Sequence, residues 1–552
     1  MAEETFDYLI VGAGSAGCVL ADRLTAAGNS VLVIEYGGSD GSIYIQMPSA
    51  LSIPMNMPKY NWFYHSEPEP HLNGRRMHTP RGKVLGGSSS INGLVYIRGN
   101  PQDFERWDSQ GAKGWSYRDV LPYFKRAERR EEGGDDYRGG AGQLRTCYGP
   151  LSNPLHAAWL AAGEQAGYPR TRDVNGFQQE GFGRMDMTVG DGSRCSAARA
   201  YLRPAMRRPA LKVLTHALAT RVLFEGRRAT GIEYRRGGQT FRAAAAKEVI
   251  LSGGPVNSPQ LLKLSGVGPA AELRDLGIDV VHDLPGVGEN LQDHLEFYFQ
   301  VACNEPITLY SSINWRSRAL IGARWLLRKD GLGATNHFET CGFIRSRRGI
   351  PYPDIQYHFL PMAVAYDGST LAQEHGFQAH VGPMRSKSRG WVRLVSKDPL
   401  EKPKILFNYL SEADDWTEMR ACVRLTRELF AQPAFDRYRG RELQPGAGVQ
   451  TDSEIDAFIR AKVESAYHPS CSCKMGSPED KMAVVDPQAR VYGLERLRVI
   501  DSSIMPSVTT GNLNAPTIML AEKAADHVLG RGMLAPENAP FYQAANWQSA
   551  QR

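Results

Sequence analysis

The sequence has little of what marks a membrane-spanning, disulfide-built or nucleic-acid-binding protein. No apolar stretch in its 552 residues reaches the roughly 18 that a membrane helix needs. Eight cysteines are too few to build a disulfide scaffold in a chain of this length. The net charge of +6 is small and spread along the chain, which gives no basic surface for nucleic acid. We therefore expect an ordinary globular protein that is long enough for two domains.

The sequence also lacks room for a signal peptide and lacks a cluster of metal ligands. A strand is predicted from about residue 6, which leaves no room for a signal peptide. Cys471 and Cys473 lie close to His468, but this spacing lacks further ligands nearby, so we predict no metal site and leave the role of both cysteines open. The expected location is a reduced cytoplasm.

The start of the chain carries the pattern of a dinucleotide-binding unit. Residues 6–11 form an apolar run typical of a buried parallel strand, and apolar residues at helical spacing follow it. A second apolar strand, residues 31–34, ends on Glu35. The glycines between the first strand and the helix are Gly12, Gly14 and Gly17, in the spacing G-x-G-x-x-G. A plain glycine turn is the alternative, but the second strand and the acid favour the fingerprint.

Each part of the fingerprint has a physical reason. Gly12 permits a tight turn, Gly14 lets backbone amides approach a pyrophosphate, and Gly17 lets helix and strand pack closely. The helix then presents the positive end of its dipole to the phosphates. Glu35 can accept hydrogen bonds from the diol of a ribose.

A second stretch rich in glycine and serine covers residues 80–92. It exposes backbone amides and short hydroxyls, which suits a second contact with a phosphate or a ring. A flexible linker has a similar composition, but flanking apolar residues such as Val84 and Ile91 favour a packed turn. The aromatic-rich residues 37–80, which include Trp62, are predicted to form an ordered loop excursion that covers another part of the protein.

The remaining pattern is that of an α/β protein whose texture changes after residue 300. Helices are predicted over 153–167, 259–265 and 414–430 and after a glycine turn at 511–516, and strands over 211–222, 229–234, 248–252, 353–361, 390–396 and 497–501. The strands at 211–222 and 229–234 read as a hairpin or small sheet, and those at 353–361 and 390–396 as half-buried. The pattern therefore predicts a doubly wound unit assembled from separated segments, with a second domain at about 300–480.

These motifs resemble the glucose–methanol–choline (GMC) flavoprotein oxidoreductase family over about residues 5–530. Residues 82–92 are similar to the first family signature, residues 254–268 to the second, and His468-Pro469 and Asn512 to the catalytic histidine and asparagine. Residues 60–62, 67–70, 304–306 and 336–339 are most similar to the choline-oxidising members.

The resemblance implies a Rossmann-type FAD-binding domain and a substrate domain with a mainly antiparallel sheet flanked by helices. The FAD-binding domain would comprise residues 1–155, 206–300 and 481–535, the substrate domain 156–205 and 301–480, and the C-terminal tail 536–552.

The resemblance also implies FAD as the cofactor. The residues implied to hold it are Gly12, Gly14, Ser15, Gly17, Glu35, Arg81, Gly86, Gly87, Ser88, Asn92, Gly93, Val222, Gly253, Asp501, Asn512 and Asn514. Among them Val222 would meet the adenine through its backbone. Choline oxidases carry a histidine with a covalent flavin bond where this chain has Ile91, and isoleucine has no nucleophile. The flavin is therefore expected to be non-covalent.

The implied reaction is oxidation of a primary alcohol to the aldehyde by hydride transfer to flavin N5. The substrate would be choline or another small or aromatic alcohol. His468 is the candidate for the hydroxyl proton, because imidazole is poised near neutral pH. Asn512 is the candidate hydrogen-bond donor to the developing alkoxide.

Four residues are candidates for the substrate pocket. Trp62 and Tyr467 match positions of an aromatic box for a quaternary ammonium group. Glu339 and His358 lie in segments that resemble the substrate wall of the family, and the strand pattern points His358 either into a pocket or into solvent. No residue is assigned as the carboxylate that would bind a cation.

Three alternatives to an alcohol oxidoreductase follow from the resemblance. The same fold occurs in hydroxynitrile lyases, in which FAD is structural, and in fatty-acid photodecarboxylases. The third alternative is a non-catalytic flavin-binding protein. The presence of both His468 and Asn512 favours a redox enzyme. Oxygen, a quinone or an electron-transfer protein could reoxidise the flavin, so a dehydrogenase and an oxygen-using alcohol oxidase both stay open. We expect a small-molecule alcohol and no nucleic acid as partner. A monomer or homodimer and a peripheral contact with the inner membrane are left open.

Overall fold

Two seven-stranded sheets organise the computed structural model, which describes residues 4–364 and 374–552. In chain order the strands of the two sheets are β1 (Glu4–Val11), β2 (Val31–Ile34), β3 (Gly181–Arg184), β4 (Leu211–Leu214), β5 (Ala217–Glu225), β6 (Arg228–Arg236), β7 (Gln239–Leu251), β8 (Leu295–Cys303), β9 (Thr340–Ile344), β10 (Ile355–Leu360), β11 (Gly376–Pro383), β12 (Arg439–Gln444), β13 (Glu464–Ser465) and β14 (Leu497–Val499). Shorter pairings join Val95–Tyr96, Glu128–Arg130, Leu144–Tyr148 and Asp186–Met187 into a four-stranded sheet, and Tyr64–His65 with His78–Thr79, Val189–Gly190 with Ser193–Arg194, Val267–Gly268 with His282–Asp283, and Trp391–Arg393 with Lys404–Leu406 into ribbons.

Helices cover the sheets and fill the connections between strands. The α-helices are α1 (Ser15–Ala26), α2 (Ile43–Gln46), α3 (Ser52–Met55), α4 (Pro101–Ser109), α5 (Tyr117–Ala127), α6 (Pro154–Gln165), α7 (Arg203–Ala205), α8 (Gly254–Leu264), α9 (Ala270–Asp275), α10 (Trp315–Arg328), α11 (Ala413–Phe430), α12 (Asp452–Lys462) and α13 (Asn514–Val528). Single turns of other helix types lie at Pro48–Ala50, Gly87–Ser90, Ala198–Leu202, Leu309–Ser312, Gly331–Ala334, Pro433–Phe435 and Ser502–Ile504. Within the described ranges no helix has the length and apolar composition that crossing a bilayer would require.

The first sheet has the order β4-β2-β1-β7-β6-β5, with β14 beside β7. Its β4, β2, β1, β7 and β14 pair in parallel. All of β2 and the last residues of β1 and β7 are apolar and buried, as is typical of a parallel sheet that is covered on both faces. The predicted single strand over 211–222 is wrong. It breaks at His216, whose φ of 55° turns the chain, so that β4 joins β2 while β5 forms a hairpin with β6.

The second sheet is antiparallel throughout, with the order β12-β8-β11-β10-β9-β3 and β13 beside β8. The prediction that residues 353–361 are half-buried is wrong, because both faces of β10 are covered. On one face Phe359 stacks on Trp159 of α6, with ring centroids 5.1 Å apart. His358 points to the other face, which borders a cavity described below.

The C-terminal tail, residues 536–552, lies across both halves of the chain. The Glu537 backbone N–H donates to the Arg118 carbonyl of α5 at 2.9 Å. At its end Arg345 donates to the Ala550 carbonyl at 2.9 Å. The predicted domain boundaries stay a prediction, and β8 already begins at Leu295, ahead of the predicted boundary at residue 300.

Candidate active site

One cavity runs from the carboxyl ends of the first sheet to a face of the second sheet. Val11, Ile34 and Leu251, the last residues of three parallel strands, line its first end. This is where doubly wound sheets bind their ligands. Glu296 and His358, on two strands of the second sheet, line the other end.

Two glycine loops meet at the first end of the cavity. Gly12 has a φ of +99°, and a Cβ there would lie 2.5 Å from the Ser252 carbonyl oxygen. Gly87 has a φ of +53°, and a Cβ there would lie 2.7 Å from the Gly14 Cα. No larger residue fits either position without moving the backbone. The glycine- and serine-rich residues 80–92 therefore pack against the G-x-G-x-x-G loop as a turn.

The N-terminus of α1 faces this part of the cavity. Gly14 is its N-cap and makes no side-chain cap, and the first turn contains no acid. Gly14, Ser15 and Ala16 line the cavity. Unsatisfied N–H groups and the helix dipole make such an end a binding site for a phosphate. The residues present thus fit the pyrophosphate of FAD.

Two buried carboxylates border the same end. Glu35 follows β2, and its Oε2 accepts the Ala13 N–H at 2.9 Å while Oε1 accepts the Gly37 N–H at 2.7 Å. Burial raises the pKa of Glu35 to about 6 against the effect of these two hydrogen bonds. Asp501 follows β14, and its Oδ2 accepts the Gly254 N–H at 2.9 Å, at the start of α8.

Most of the predicted cofactor residues line this cavity. They are Gly12, Gly14, Ser15, Glu35, Arg81, Gly87, Ser88, Asn92, Gly93, Gly253, Asp501, Asn512 and Asn514. Gly17 and Gly86 lie behind the lining, where Gly17 lets α1 approach Gly12 closely. Val222 is not placed at the cavity, because its N–H donates to the Ser265 hydroxyl at 2.9 Å. Ala217, Leu218 and Ala219 of the same strand reach the cavity instead.

A chain of hydrogen bonds fixes which nitrogen of His468 carries the proton. His294 Nε2 lies 2.9 Å from the Met384 carbonyl oxygen, which only accepts, so this nitrogen is the donor. In a neutral ring His294 Nδ1 is then an acceptor, and it receives a hydrogen bond from His468 Nδ1 at 3.1 Å. His468 is therefore left with an unprotonated Nε2.

Both rings are neutral near pH 7. Burial lowers the pKa of His294 to about 4. Burial, with the neighbouring His294, His358 and Arg81, holds the pKa of His468 well below its ordinary range. The Nε2 lone pair of His468 is thus available as a base at the cavity.

Asn512 is oriented by three neighbours. Its Oδ1 accepts from Gln356 Nε2 at 3.1 Å and lies 3.2 Å from His358 Nε2. This places its Nδ2 3.0 Å from His468 Nε2, to which it donates. An amide nitrogen carries two hydrogens. An oxygen that enters beside Nδ2 can therefore accept a hydrogen bond from Asn512 while it faces the base.

The backbone of His468 is held as firmly as its ring. Asp293 Oδ1 accepts the His468 N–H at 2.7 Å, and its Oδ2 accepts the Tyr409 hydroxyl at 2.5 Å. Tyr467, the residue before His468, has a φ of 65°. Arg81 donates to the Tyr467 carbonyl at 2.6 Å. These contacts stabilise a strained turn, which is a feature of functional sites.

The predicted substrate residues divide into two groups. Trp62, Tyr467 and His358 line the cavity. Glu339 does not, because its Oε2 accepts the Leu151 N–H at 2.6 Å and its Oε1 accepts the Thr335 hydroxyl at 2.8 Å. This carboxylate supports a loop, so the assignment of Glu339 to the pocket is corrected.

Three titratable residues at the site were not predicted from the sequence, namely Asp293, His294 and Glu296. Glu296 lines the cavity near His358 and lies 3.1 Å from His380 Nδ1. The sequence does carry a signal that these polar residues are paired in the fold. The polar residues 292–294 lead directly into the buried strand β8, whose second residue is Glu296. Such a run at the start of a buried strand is costly unless it is paired.

Cys471 and Cys473 are buried, and burial raises the pKa of both thiols. They are therefore protonated and unreactive near neutral pH. Across residues 4–364 and 374–552, no three side chains of the metal-binding types come together in a way that could hold an ion.

Comparison with known proteins places the chain in a family. Two family profiles described as GMC oxidoreductase match residues 6–296 and 386–521. The oxygen-dependent choline dehydrogenase of Photobacterium profundum is 57% identical over 551 residues, 99% of this chain and 97% of that protein. The oxygen-dependent choline dehydrogenase of Brucella ovis is 58% identical over 547 residues, 99% of this chain and all of that protein.

Comparison with solved structures supports the same assignment. Pyridoxine 4-oxidase from Mesorbium loti is 28% identical, with a TM-score of 0.86 over 95% of this chain and 99% of that chain. A fungal aryl-alcohol oxidase is 25% identical, with a TM-score of 0.83 over 96% of this chain and 99% of that chain. This chain belongs to the GMC oxidoreductase family.

Proposed function

We propose that this protein is an FAD-dependent enzyme that oxidises choline, a primary alcohol, to its aldehyde. One observation carries the proposal. The unprotonated Nε2 of His468 and the Nδ2 of Asn512 lie 3.0 Å apart at the cavity whose other end is formed by the glycine loops and the N-terminus of α1. The identity of 56 to 58% to choline dehydrogenases supports the choice of alcohol.

The cofactor would be held by the N-terminus of α1, by Glu35 and by the loop around Gly87. When it is bound, its ring supplies a two-electron acceptor for hydride at N5. Ile91 has no atom that could form a covalent bond with the ring, so the cofactor is held non-covalently. Dioxygen is the proposed final acceptor, because the relatives are named oxygen-dependent.

The protein's own residues manage the proton of the alcohol. The hydroxyl oxygen enters between His468 and Asn512 and replaces their direct hydrogen bond. His468 Nε2 takes the hydroxyl proton, and Asn512 Nδ2 donates to the oxygen as negative charge develops on it. Burial keeps His468 neutral before this step, so the base is available near pH 7.

The fixed positive charge of choline needs an anion and aromatic surfaces. Glu296 is the carboxylate that lines the cavity at the catalytic end, while Glu35 and Asp501 lie at the dinucleotide end. Trp62 and Tyr467 supply aromatic faces on the same cavity. Glu296 is therefore the proposed partner of the trimethylammonium group.

Anaerobic mixing with choline tests the function. The purified holoprotein should be bleached by choline and not by ethanol, and acid precipitation should release its FAD into the supernatant. His468→Ala should slow bleaching by about 10²–10⁴-fold, and Asn512→Ala by about 10²–10³-fold. Together the two changes should be less than additive, because both groups serve one oxygen.

His71→Ala, which changes an exposed histidine, is the matched control and should leave the rate unchanged. A flavin that choline leaves fully oxidised would refute the function and would favour the lyase alternative. A pellet that retains the flavin would refute the non-covalent attachment alone.

A further inference from the structure

The face of the second sheet that borders the cavity carries a row of polar side chains. Alternation along β8 turns Glu296, Tyr298 and Gln300 to one face of the sheet. The antiparallel register places His380 of β11 opposite Tyr298 and Gln378 opposite Gln300, so both belong to the same face. Polar groups buried in such a row are costly unless they are hydrogen-bonded.

The backbone of Val364 fixes the orientation of the Gln378 amide. Gln378 Oε1 accepts the Val364 N–H at 2.9 Å, and Gln378 Nε2 donates to the Val364 carbonyl at 2.9 Å. A flipped amide would set donor against donor and acceptor against acceptor. The other hydrogen of Gln378 Nε2 is therefore directed at His380 Nε2, which lies 2.6 Å away.

This contact fixes the tautomer of His380. An amide nitrogen donates and does not accept, so His380 Nε2 is the acceptor and carries no proton. The ring is then neutral, and its proton lies on Nδ1, which donates to Glu296 Oε1 at 3.1 Å. Tyr298 and Phe338 pack against the ring, with centroids 4.4 and 5.3 Å from its own. The donor therefore has a fixed direction toward the carboxylate.

Glu296 thus gains a hydrogen bond and keeps its charge. Its side chain is 6% exposed, and across residues 4–364 and 374–552 no lysine or arginine forms an ion pair with it. A neutral imidazole adds no positive charge to the pair. A buried carboxylate without a cationic partner attracts a cation strongly, because little solvent screens it. A positive charge on His380 would cancel this attraction.

We propose that His380 is a positioning residue for substrate selection, which orients Glu296 at the cavity and leaves its negative charge for a quaternary ammonium group. Gln378, held by Val364, keeps His380 in the tautomer that this role requires. The role rests on the proposed function, in which Glu296 is the partner of the trimethylammonium group. The preference for a cationic over a neutral alcohol should therefore depend on His380.

Calorimetric titration of the holoprotein with tetramethylammonium tests the proposal without turnover. His380→Phe removes the donor to Glu296 and should raise the dissociation constant by about 10- to 100-fold, as the loss of a hydrogen bond to a charged group does. His380→Asn places an amide N–H near the position of Nδ1 and should recover most of the affinity. In a Glu296→Gln protein the further change His380→Phe should have almost no effect, because the two side chains act as one unit.

The matched control is His156→Phe, which changes another buried and hydrogen-bonded histidine that does not line the cavity. It should leave the dissociation constant unchanged.

Anaerobic bleaching supplies a second readout, with choline compared to its neutral carbon analogue 3,3-dimethylbutan-1-ol in the same preparation. His380→Phe should weaken the apparent affinity for choline by at least about tenfold relative to the neutral alcohol. The limiting rate with choline should stay almost the same, because His468 and Asn512 are unchanged. A merely structural role for His380 would impair both alcohols alike.

Four results would overturn the proposal. They are a parent protein that does not bind tetramethylammonium, an equal loss of affinity for both alcohols, a His380→Asn variant as weak as His380→Phe, and a full effect of His380→Phe in the Glu296→Gln protein. A parent that binds tetramethylammonium in the expected pattern but is not bleached by choline would support the role of His380 and refute the proposed reaction alone.

Discussion

At the residue scale, the proposed role of His468 as a base depends on a side chain that does not line the cavity. His294 links the Met384 carbonyl to His468 Nδ1, and the direction of both hydrogen bonds follows from the carbonyl, which can only accept. Without this link the neutral ring of His468 could carry its proton on either nitrogen. Only one of the two tautomers offers Nε2 to the alcohol. His294 is therefore a positioning residue for the proposed base.

Replacement of His294 tests this role. His294→Phe removes the acceptor for His468 Nδ1–H and should slow anaerobic bleaching at saturating choline by about 10- to 100-fold, the size of the loss when the hydrogen-bond partner that orients a metal-bound histidine is removed. His294→Gln keeps an acceptor for His468 and a donor for Met384, so it should recover most of the rate. The dissociation constant of a non-reactive quaternary ammonium ion should stay the same in both variants, because the cation lies elsewhere. A glutamine variant as slow as the phenylalanine variant would argue against the tautomer relay.

At the scale of elements, prediction from sequence succeeded where the pattern is local. The unit β1-α1-β2 lies within a few residues of its predicted bounds, because glycine spacing and apolar periodicity specify it within a short segment. Prediction failed at His216, where a positive φ splits one predicted strand, and at β10, whose second covered face depends on distant segments.

The candidate site shows the same division. His468 and Asn512 were predicted because each stands in a recognisable motif, and the structure places them 3.0 Å apart at the cavity. His294 was missed because its role depends on His468 and Met384, which lie far away in the sequence and contact it only after folding. Glu296 was missed because its place at the cavity depends on how β8 sits in the second sheet. The polar run at 292–294 before β8 is a local signal, but it does not indicate which cavity the Glu296 side chain faces.

The small four-stranded sheet contains a buried ion cluster that joins several elements. Glu128 accepts from Arg98 and Arg138, both at 2.5 Å, and from the Thr146 hydroxyl at 2.7 Å. Arg138 also meets Asp186 at 3.1 Å. Burial opposes ionisation of Glu128, but Arg98 and Arg138 outweigh it and hold its pKa at about 2.

Glu128→Gln should lower the free energy of unfolding by about 3–5 kcal/mol, because it leaves two buried arginines without their shared carboxylate. The pKa of Glu128 is depressed in the folded state, so its contribution is fully present above pH ~4.5 and is lost as the pH falls toward ~2. Urea unfolding at pH 7 and at successively lower pH should show the difference between parent and variant shrinking. Glu164→Gln, at a half-exposed surface pair, should change stability by less than about 1 kcal/mol. A difference that stays constant as the pH falls would contradict the role of the Glu128 charge.

At the scale of the whole molecule, the site exists only where the two sheets meet. The first sheet brings the glycine loops and Glu35, whereas the second brings Glu296 and His358. The distance between the glycine loops, which are proposed to hold the cofactor, and His468, the proposed base, is thus set by how the two sheets pack against each other. The C-terminal tail spans this junction, with Glu537 at Lys125 of α5 and Arg552 at Glu428 of α11.

Removal of residues 546–552 should therefore weaken the attachment between the halves. Arg345 is 1% exposed at its side chain and donates to the Ala550 carbonyl, so truncation leaves one of its N–H groups buried without that partner. Such a loss costs about 2 kcal/mol. The truncated protein should unfold at a lower urea concentration. Arg552→Ala, which removes a partly exposed ion pair with Glu428 and a contact with the Tyr168 ring but leaves the Arg345 contact in place, should cost less, about 1 kcal/mol. Flavin bleaching by choline in native buffer should continue in both proteins, because the tail does not line the cavity. An unfolding midpoint unchanged by truncation would mean that the packing of the two sheets alone holds the halves together.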